Sequence, residues 1–303
     1  MKSVSKIIKN QISKILLYAI LGISMVVTSC EGGNIPEIEI TVSTVFEGSF
    51  QDGLAEDSKG NIYGSDFAGN TVYKLDRSGN VAVFANGFTT PNGIGINSKD
   101  EIYICDNFGN KIFKYDTEGT LLASFDAASP AGIKKIPWSN DMLFVEYFTN
   151  TINVLKEDGS ITKLFEGEPI NGPAGIAFDR KGNTYIGNFN DRKIYKFSDG
   201  QLEFVAQLPA EAENSNFLGF LTYAKGNLFA TQIGEHRIYK INPRSVDDFE
   251  VFAGSVLGNA DGEISEATFN FPNGILASRD QKTLYVSDAG TKNLRIISSE
   301  IKY

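Results

Sequence analysis

Two sets of polar side chains in this 303-residue chain have types and spacings that could do chemistry. Asp66, Asp106 and Asp288 each close an apolar run, in IYGSD, IYICD and LYVSD, while Asp52, Asn92 and Asn273 each stand directly ahead of a glycine. Carboxylate and amide oxygens suit Ca2+ or another divalent cation, a hard ion that takes six to eight such donors in tolerant geometry. With Asp52, Asn92 and Asn273 as its ligands, the ion would polarise an ester or lactone carbonyl and activate a water. Asp106 or Asp66 would then serve as general base, poised by like-charged neighbours. Other chemistries are excluded: one histidine cannot supply a zinc triad, and no nucleophile elbow or strand-to-helix phosphate loop is present.

These residues recur because the chain recurs. A phrase of alternating apolar segments begins at Gly53, Gly93, Gly132, Gly175, Gly219 and Gly274, in steps of 40, 39, 43, 44 and 55 residues. In the second copy the segments are Gly93 to Asn97, Glu101 to Cys105, Lys111 to Tyr115 and Thr120 to Phe125, separated by turns rich in Asn, Asp and Gly. Strand-type units at this period predict a propeller. No stretch has useful helical periodicity, so the fold class is all-β: six blades of four antiparallel strands. The last copy lacks its outer strand, and EITVSTVF (Glu39 to Phe46) precedes the first copy without a partner there. Pairing that segment into the last blade closes the ring and removes an exposed sheet edge.

Aligning the copies gives two columns. The position ahead of each leading glycine reads Asp52, Asn92, Ala131, Ala174, Leu218 and Asn273; the end of each second strand reads Asp66, Asp106, Tyr147, Asn188, Gln232 and Asp288. The acidic and amide residues of the first column, and the aspartates of the second, fall on blades six, one and two. Cys105 occupies a column of small residues (Ser65, Gly187, Thr231, Ser287) and reads as a buried packing residue. Glu146 interrupts that column, so it either reaches the wet channel or marks a loosely formed third blade. On the third strands, pairs such as Phe113 with Tyr115 and Tyr195 with Phe197 face one side of the sheet and pack blade on blade.

The stretch Gly258 to Leu276, GNADGEISEATFNFPNGIL, resembles the inter-repeat signature of NHL-repeat propellers. Pro272 to Gly290, PNGILASRDQKTLYVSDAG, is similar to the corresponding segment of the senescence marker protein/gluconolactonase family and its strictosidine synthase-like relatives. The resemblance covers about 250 residues of the chain and implies six blades, with both columns opening on the same mouth of the channel. It also implies a metal held by the first column, through a Glu in the first blade and Asn or Asp in others. Here Asp52 replaces that Glu, and Ala131 and Ala174 stand where the family pattern has oxygen ligands. Glu235 and His236, on the same mouth, resemble the His-dependent site of virginiamycin B lyase-like propellers, without a matching motif around them.

The first 29 residues are a leader: Lys2, Lys6, Lys9 and Lys14 precede the apolar run Ile15 to Val27, which is too short to span a bilayer comfortably. Val27-Thr28-Ser29-Cys30 resembles the lipobox of bacterial lipoproteins, in which the cysteine is acylated. This predicts a signal peptide over 1–29, a tether over 30–38 and the propeller over 39–303. A lipid anchor at Cys30 would hold a monomer to the membrane of the bacterial cell envelope, facing periplasm or exterior. Without the four leader lysines the 28 basic residues fall to 24 against 37 acidic ones, which argues against a nucleic-acid partner.

The expected function is a lipid-anchored propeller binding a small molecule, a glycan or a protein at its mouth, with Asp288, Glu146 and His236 on the rim. The alternatives are a metal-dependent lactonase or esterase of the gluconolactonase type and, third, a lyase using Glu235 and His236.

Overall fold

The computed structural model describes residues 37–210 and 217–302. The leader, Cys30 and most of the tether lie outside the described residues. Among the described residues there is no helix, and the strands form six sheets in a ring. From channel to rim, blade one runs Leu54–Glu56, Ile62–Asp66, Thr71–Leu75 and Val81–Asn86; blade two runs Pro91–Ile96, Ile102–Asp106, Lys111–Tyr115 and Leu121–Asp126. Blades three and four are Pro130–Lys135, Met142–Glu146, Thr151–Leu155, Ile161–Glu166, and Pro173–Phe178, Thr184–Asn188, Lys193–Ser198, Gln201–Gln207. Blade five is Leu218–Ala224, Asn227–Gln232, Arg237–Ile241 and Phe249–Ala253; blade six has Pro272–Ala277, Thr283–Asp288 and Asn293–Lys302.

The expected closure is present. Glu37–Phe46 lies antiparallel beside Asn293–Lys302, with Val42 opposite Ile297, and supplies the outer strand of blade six. A short strand from the long last connector, Gly262–Glu263, then covers the far edge of Glu37–Phe46. Asp261 beside it accepts from Thr44 N at 2.9 Å and Thr44 Oγ1 at 3.0 Å, so the connector is tied to the closing strand.

Local sequence explains the hairpins. In DSKGN the Asp57 carboxylate accepts from Lys59 N, Asn61 N, Asn61 Nδ2 and Tyr63 Oη, and Asp179 repeats this pattern in DRKGN. Such side-chain bonds offer the backbone a turn in place of a continued strand. The core lies between neighbouring blades: Tyr63, Ile102, Ile104 and Tyr115 pack together between blades one and two. Each large apolar side chain so buried contributes roughly 1.5–3 kcal/mol. The leading glycines have a steric reason, because a Cβ on Gly53, Gly93, Gly132 or Gly274 would run into the carbonyl oxygen of Asn92, Ala131, Ala174 or Asp52 on the next blade.

The register corrects the alignment in blade three. Pro130 pairs with Glu146, as Pro91 does with Asp106 and Pro173 with Asn188, so Glu146 belongs to the column that ends the second strands. Val145 pairs with Ile152 as Cys105 does with Ile112, and is the true member of the small-residue column. Tyr147 therefore lies beyond the strand, in the turn. The displacement arises in the first hairpin of blade three, which spends residues 136–141 where blade two spends 97–101.

Candidate functional site

The second-strand column is a set of clamps. Both oxygens of Asp106 are spent on the connector that leads into its own blade, accepting from Thr89 N at 2.9 Å and Thr90 N at 2.7 Å. Glu146 likewise accepts from Ala128 N at 2.7 Å, and Asp288 accepts from Asn270 N at 2.6 Å. Where the column holds an amide the bond reverses: Asn188 Nδ2 donates to Pro169 O and Gln232 Nε2 to Pro209 O. Asp66 instead pairs with Lys292 Nζ of blade six at 2.9 Å. Asp106 and Asp66, expected as general bases, thus have their carboxylates committed to holding corners together. Glu146 also accepts from Thr149 and Thr151 hydroxyls and is part of a turn rather than a group reaching into the channel.

His236 is explained by the same turn. It has φ of 57°, the left-handed conformation also found at Asn110, Asn150, Arg192 and Lys292, one residue before the third strand of their blades. Asn110 Oδ1 accepts from Ser129 N and Asn150 Oδ1 from Gly172 N, each the residue just ahead of the next inner strand. His236 Nδ1 does the equivalent job for Phe271 N at 3.2 Å, with its ring edge-on to Phe271. Burial lowers its pKa against an opposing pull from Glu235, consistent with an imidazole whose Nδ1 must stay unprotonated to accept.

Asp52, Asn92 and Asn273 do converge. Asn92 Nδ2 donates to Asp52 Oδ2 and Asn273 Nδ2 to Asp52 Oδ1, both at 3.0 Å, across three adjacent blades. Asp52 is only 2% exposed, and burial holds its carboxyl well above the usual carboxylate range. Hydroxyls fasten the backbone beneath: Ser287 Oγ donates to Asp52 O, Ser65 Oγ to Asn92 O and Thr231 Oγ1 to Asn273 O. Blades two, three and four have Cys105, Val145 and Gly187 at those positions and lack the latch. Asn92 Oδ1 is buried and has no partner.

As a metal centre this cluster is half a shell. One carboxylate and two amides lie on one side, and both amides turn nitrogen towards the carboxylate. Across the channel Ala131, Ala174 and Leu218 offer no side-chain donor, against the six to eight oxygens a Ca2+ ion takes. Among the described residues no three His, Cys, Asp or Glu side chains gather as a metal cluster. The donor set does not fit the ion that the family resemblance implies.

The turns at the mouth carry what the alignment missed. One or two positions past the clamp, the turns present Phe67, Phe108, Tyr147 with Phe148, and Phe189. Phe108 and Phe148 are 55% and 63% exposed, with ring centroids 6.1 Å apart. The row continues from Phe148 to Tyr147 at 5.0 Å, to Phe189 at 5.8 Å and to Phe217 at 4.4 Å, the last pair stacked. A polar string runs beside it, from Tyr147 Oη to Asn190 Oδ1 at 2.8 Å and from Asn190 Nδ2 to Asn171 Oδ1 at 2.8 Å. The sequence signal was the recurring aromatic in DFAGN, NFGN, YFTN and NFND, legible once Glu146 is placed in the clamp column.

The sequence pattern of the SMP-30/Gluconolactonase/LRE-like region matches residues 130–301, more than half of the chain. The chain belongs to that family. Comparison with curated proteins gives no match. Among solved structures, a gluconolactonase from Xanthomonas campestris is similar with a TM-score of 0.66 at 14% identity, over 90% of this chain and 99% of the other. An auxiliary nutrient binding protein from Bacteroides thetaiotaomicron VPI-5482 is similar with a TM-score of 0.70 at 16% identity, over 89% and 79%. A virginiamycin B lyase from Staphylococcus aureus follows the same fold at 0.59 and 18%, over 81% and 79%. At these identities the likeness is one of fold, and function has to be argued from the mouth.

Proposed function

We propose that this family member is a binding propeller, lipid-anchored at Cys30 in the bacterial envelope, whose mouth takes a saccharide or similar polyhydroxylated ligand. The observation that carries this reading is the pairing of two chemistries across one opening: an aromatic row on blades two to five, exposed at Phe108 and Phe148 and half-buried beyond them, and the Asp52–Asn92–Asn273 cluster on blades six, one and two. A sugar ring is itself two-sided, with a C–H face that packs on the negative face of an arene and hydroxyls that need partners. Asn92 Oδ1, an acceptor with none of its own, suits a ligand hydroxyl. A nutrient binding protein among the structural neighbours is consistent with a binding role.

The hydrolase reading is weaker because the oxygen donors are confined to one arc and the carboxylates at the second-strand ends are spent on corners. The lyase reading is weaker because His236 Nδ1 is held by Phe271 N.

The test is titration calorimetry of the purified protein against a panel of mono- and oligosaccharides, repeated with a Phe108→Ala/Phe148→Ala double variant. A saccharide should bind, and the double variant should bind it about tenfold or more weakly, since each lost ring interaction is worth about 0.5–1.5 kcal/mol. Turnover of a lactone by the metal-loaded protein, with no saccharide bound, would replace this reading by the hydrolase.

A further inference from the structure

The inner strands of all six blades line an axial cavity of about 250 Å3. It starts beneath the leading glycines Gly53 and Gly132 and runs to the far strand ends at Glu56, Ile96 and Lys135, away from the mouth. Its wall is aliphatic, chiefly Ile94, Ile133, Ile176, Leu221, Ile275 and Leu276. Asp52, Asn92 and Asn273 are not part of it. Among the residues that do line it, three are charged, and two of these are occupied elsewhere. Lys135 Nζ donates to Ile136 O at 3.1 Å and Ser139 O at 3.0 Å, while Glu56 Oε2 accepts from Arg279 N at 2.9 Å.

Lys134 is the exception. Its ammonium has no hydrogen-bond or ion-pair partner among the described residues. The strands packed against its own offer none at this level: the inner strands of blades two and four carry no charge, and Asp106 and Glu146 are at the mouth end, spent in their clamps. Burial holds the amine at about 8, so the channel already costs the charged form something. Lys134 is half-buried and faces the channel, so a ligand entering there can reach its ammonium, and a carboxylate would supply the counter-charge that the wall does not.

We propose that the axial channel is a second ligand site, distinct from the mouth, which takes a short aliphatic carboxylate with its head group on Lys134 and its alkyl chain against the Ile and Leu wall. The size sets the chain length: the cavity falls just below the roughly 300–1,000 Å3 of pockets for drug-sized ligands, so a short-chain acid fits where a long lipid would not. The site does not rest on the saccharide reading, because none of its residues belongs to the aromatic row or to the Asp52 cluster.

The experiment is calorimetry of the purified protein with hexanoate, and with hexanol as the uncharged match. Hexanoate should bind one-to-one at pH 7 and at least tenfold more tightly than hexanol. Lys134→Met should lose at least tenfold in hexanoate affinity and leave hexanol unchanged, and Lys134→Arg should keep hexanoate binding. On selectively 13C-methylated protein, the Lys134 amine should titrate at higher pH once hexanoate is added. The Phe108→Ala/Phe148→Ala variant should bind hexanoate as the parent does, which separates this site from the mouth. Equal affinity for hexanoate and hexanol, absence of hexanoate binding, or an unshifted Lys134 titration would overturn the proposal even if Lys134→Met failed to fold.

Discussion

In blade two the clamp Asp106 is followed by Asn107 and Phe108, and in blade three Glu146 is followed by Tyr147 and Phe148; in blade six Asp288 is followed by Ala289 and Gly290. The backbone does the same thing in each case, ending in a left-handed residue at Asn110, Asn150 or Lys292. The lead-in positions divide as well, with Ala131, Ala174 and Leu218 on one side and Asn273, Asp52 and Asn92 on the other, and the two sets meet on blades one and two, where Phe67 and Phe108 share a blade with Asp52 and Asn92. The two arcs of the mouth therefore differ at positions that the fold leaves free. Clamp and left-handed residues hold each corner, and the side chains between them decide whether a sector stacks a ligand or hydrogen-bonds it. If that division is right, substitutions on the polar arc should cost stability, and those on the aromatic arc should cost affinity.

The largest effect is expected at Arg295 of blade six. It is fully buried, donates to Thr268 O, Ala260 O and Asp261 Oδ1, approaches Asp288 Oδ2 at 3.4 Å and lies over the Phe269 ring. Asp288 is pushed up to about 6 because burial outweighs this partner. Arg295→Met leaves the buried Asp288 carboxylate without its cation and Thr268 O without its side-chain donor, which should destabilise by about 3–5 kcal/mol in urea unfolding. The Phe108→Ala/Phe148→Ala variant, losing two exposed rings, should stay within roughly 0.5 kcal/mol per residue of the parent while losing its ligand. A stability loss there as large as that of Arg295→Met would make the aromatic row a part of the fold, and the comparison would collapse.

A smaller effect should appear at Asp52, and it depends on pH. Its carboxyl is raised by burial, so its contribution to stability is complete below the ordinary value of about 3.9 and is lost as pH rises through the folded value. Asp288 has the same sign and remains as a background. Asp52→Asn can keep one amide donor and gain another towards Asn92 Oδ1, and it has nothing to ionise. Its urea midpoint should gain on the parent as pH rises above about 4, until the folded value is passed. Parallel midpoint curves for the two proteins would show that Asp52 ionises at no cost and that the polar arc is wetter than its burial indicates.

Much of the fold was legible in the residues. The glycine steps announced six blades, and the unpaired segment EITVSTVF announced the closure, because an alternating β-branched run with no partner has only one sheet edge to fill. The convergence of Asp52, Asn92 and Asn273 was legible too, since their shared offset ahead of the glycine puts them on one rim. What the sequence obscured was the register of blade three: a single extra residue in the hairpin 136–141 moves every later side chain by one place, which hid both the clamp role of Glu146 and the aromatic row. The short covering strand Gly262–Glu263 was hidden for a different reason, because its pairing depends on Asp261 and Arg295 meeting across distant parts of the chain.

The smallest effect separates a turn residue from a reactive one. His236 fills the position where Asn110 and Asn150 accept a backbone N–H, so His236→Asn should preserve the bond to Phe271 N and leave stability at pH 8 within roughly 0.5 kcal/mol of the parent. His236→Ala should lose about 1 kcal/mol, the net worth of one such hydrogen bond. Because burial depresses the imidazole pKa, the parent carries the full stability of this contact above about 6.5 and loses it as pH falls from there towards the folded value, where Nδ1 is protonated and can no longer accept. His236→Asn should abolish that acid-side loss, seen as a flatter melting-temperature profile between pH 7 and pH 5. If the asparagine variant keeps the parent's acid sensitivity, the titrating group lies elsewhere, and His236 loses its standing as the blade-five counterpart of Asn110 and Asn150.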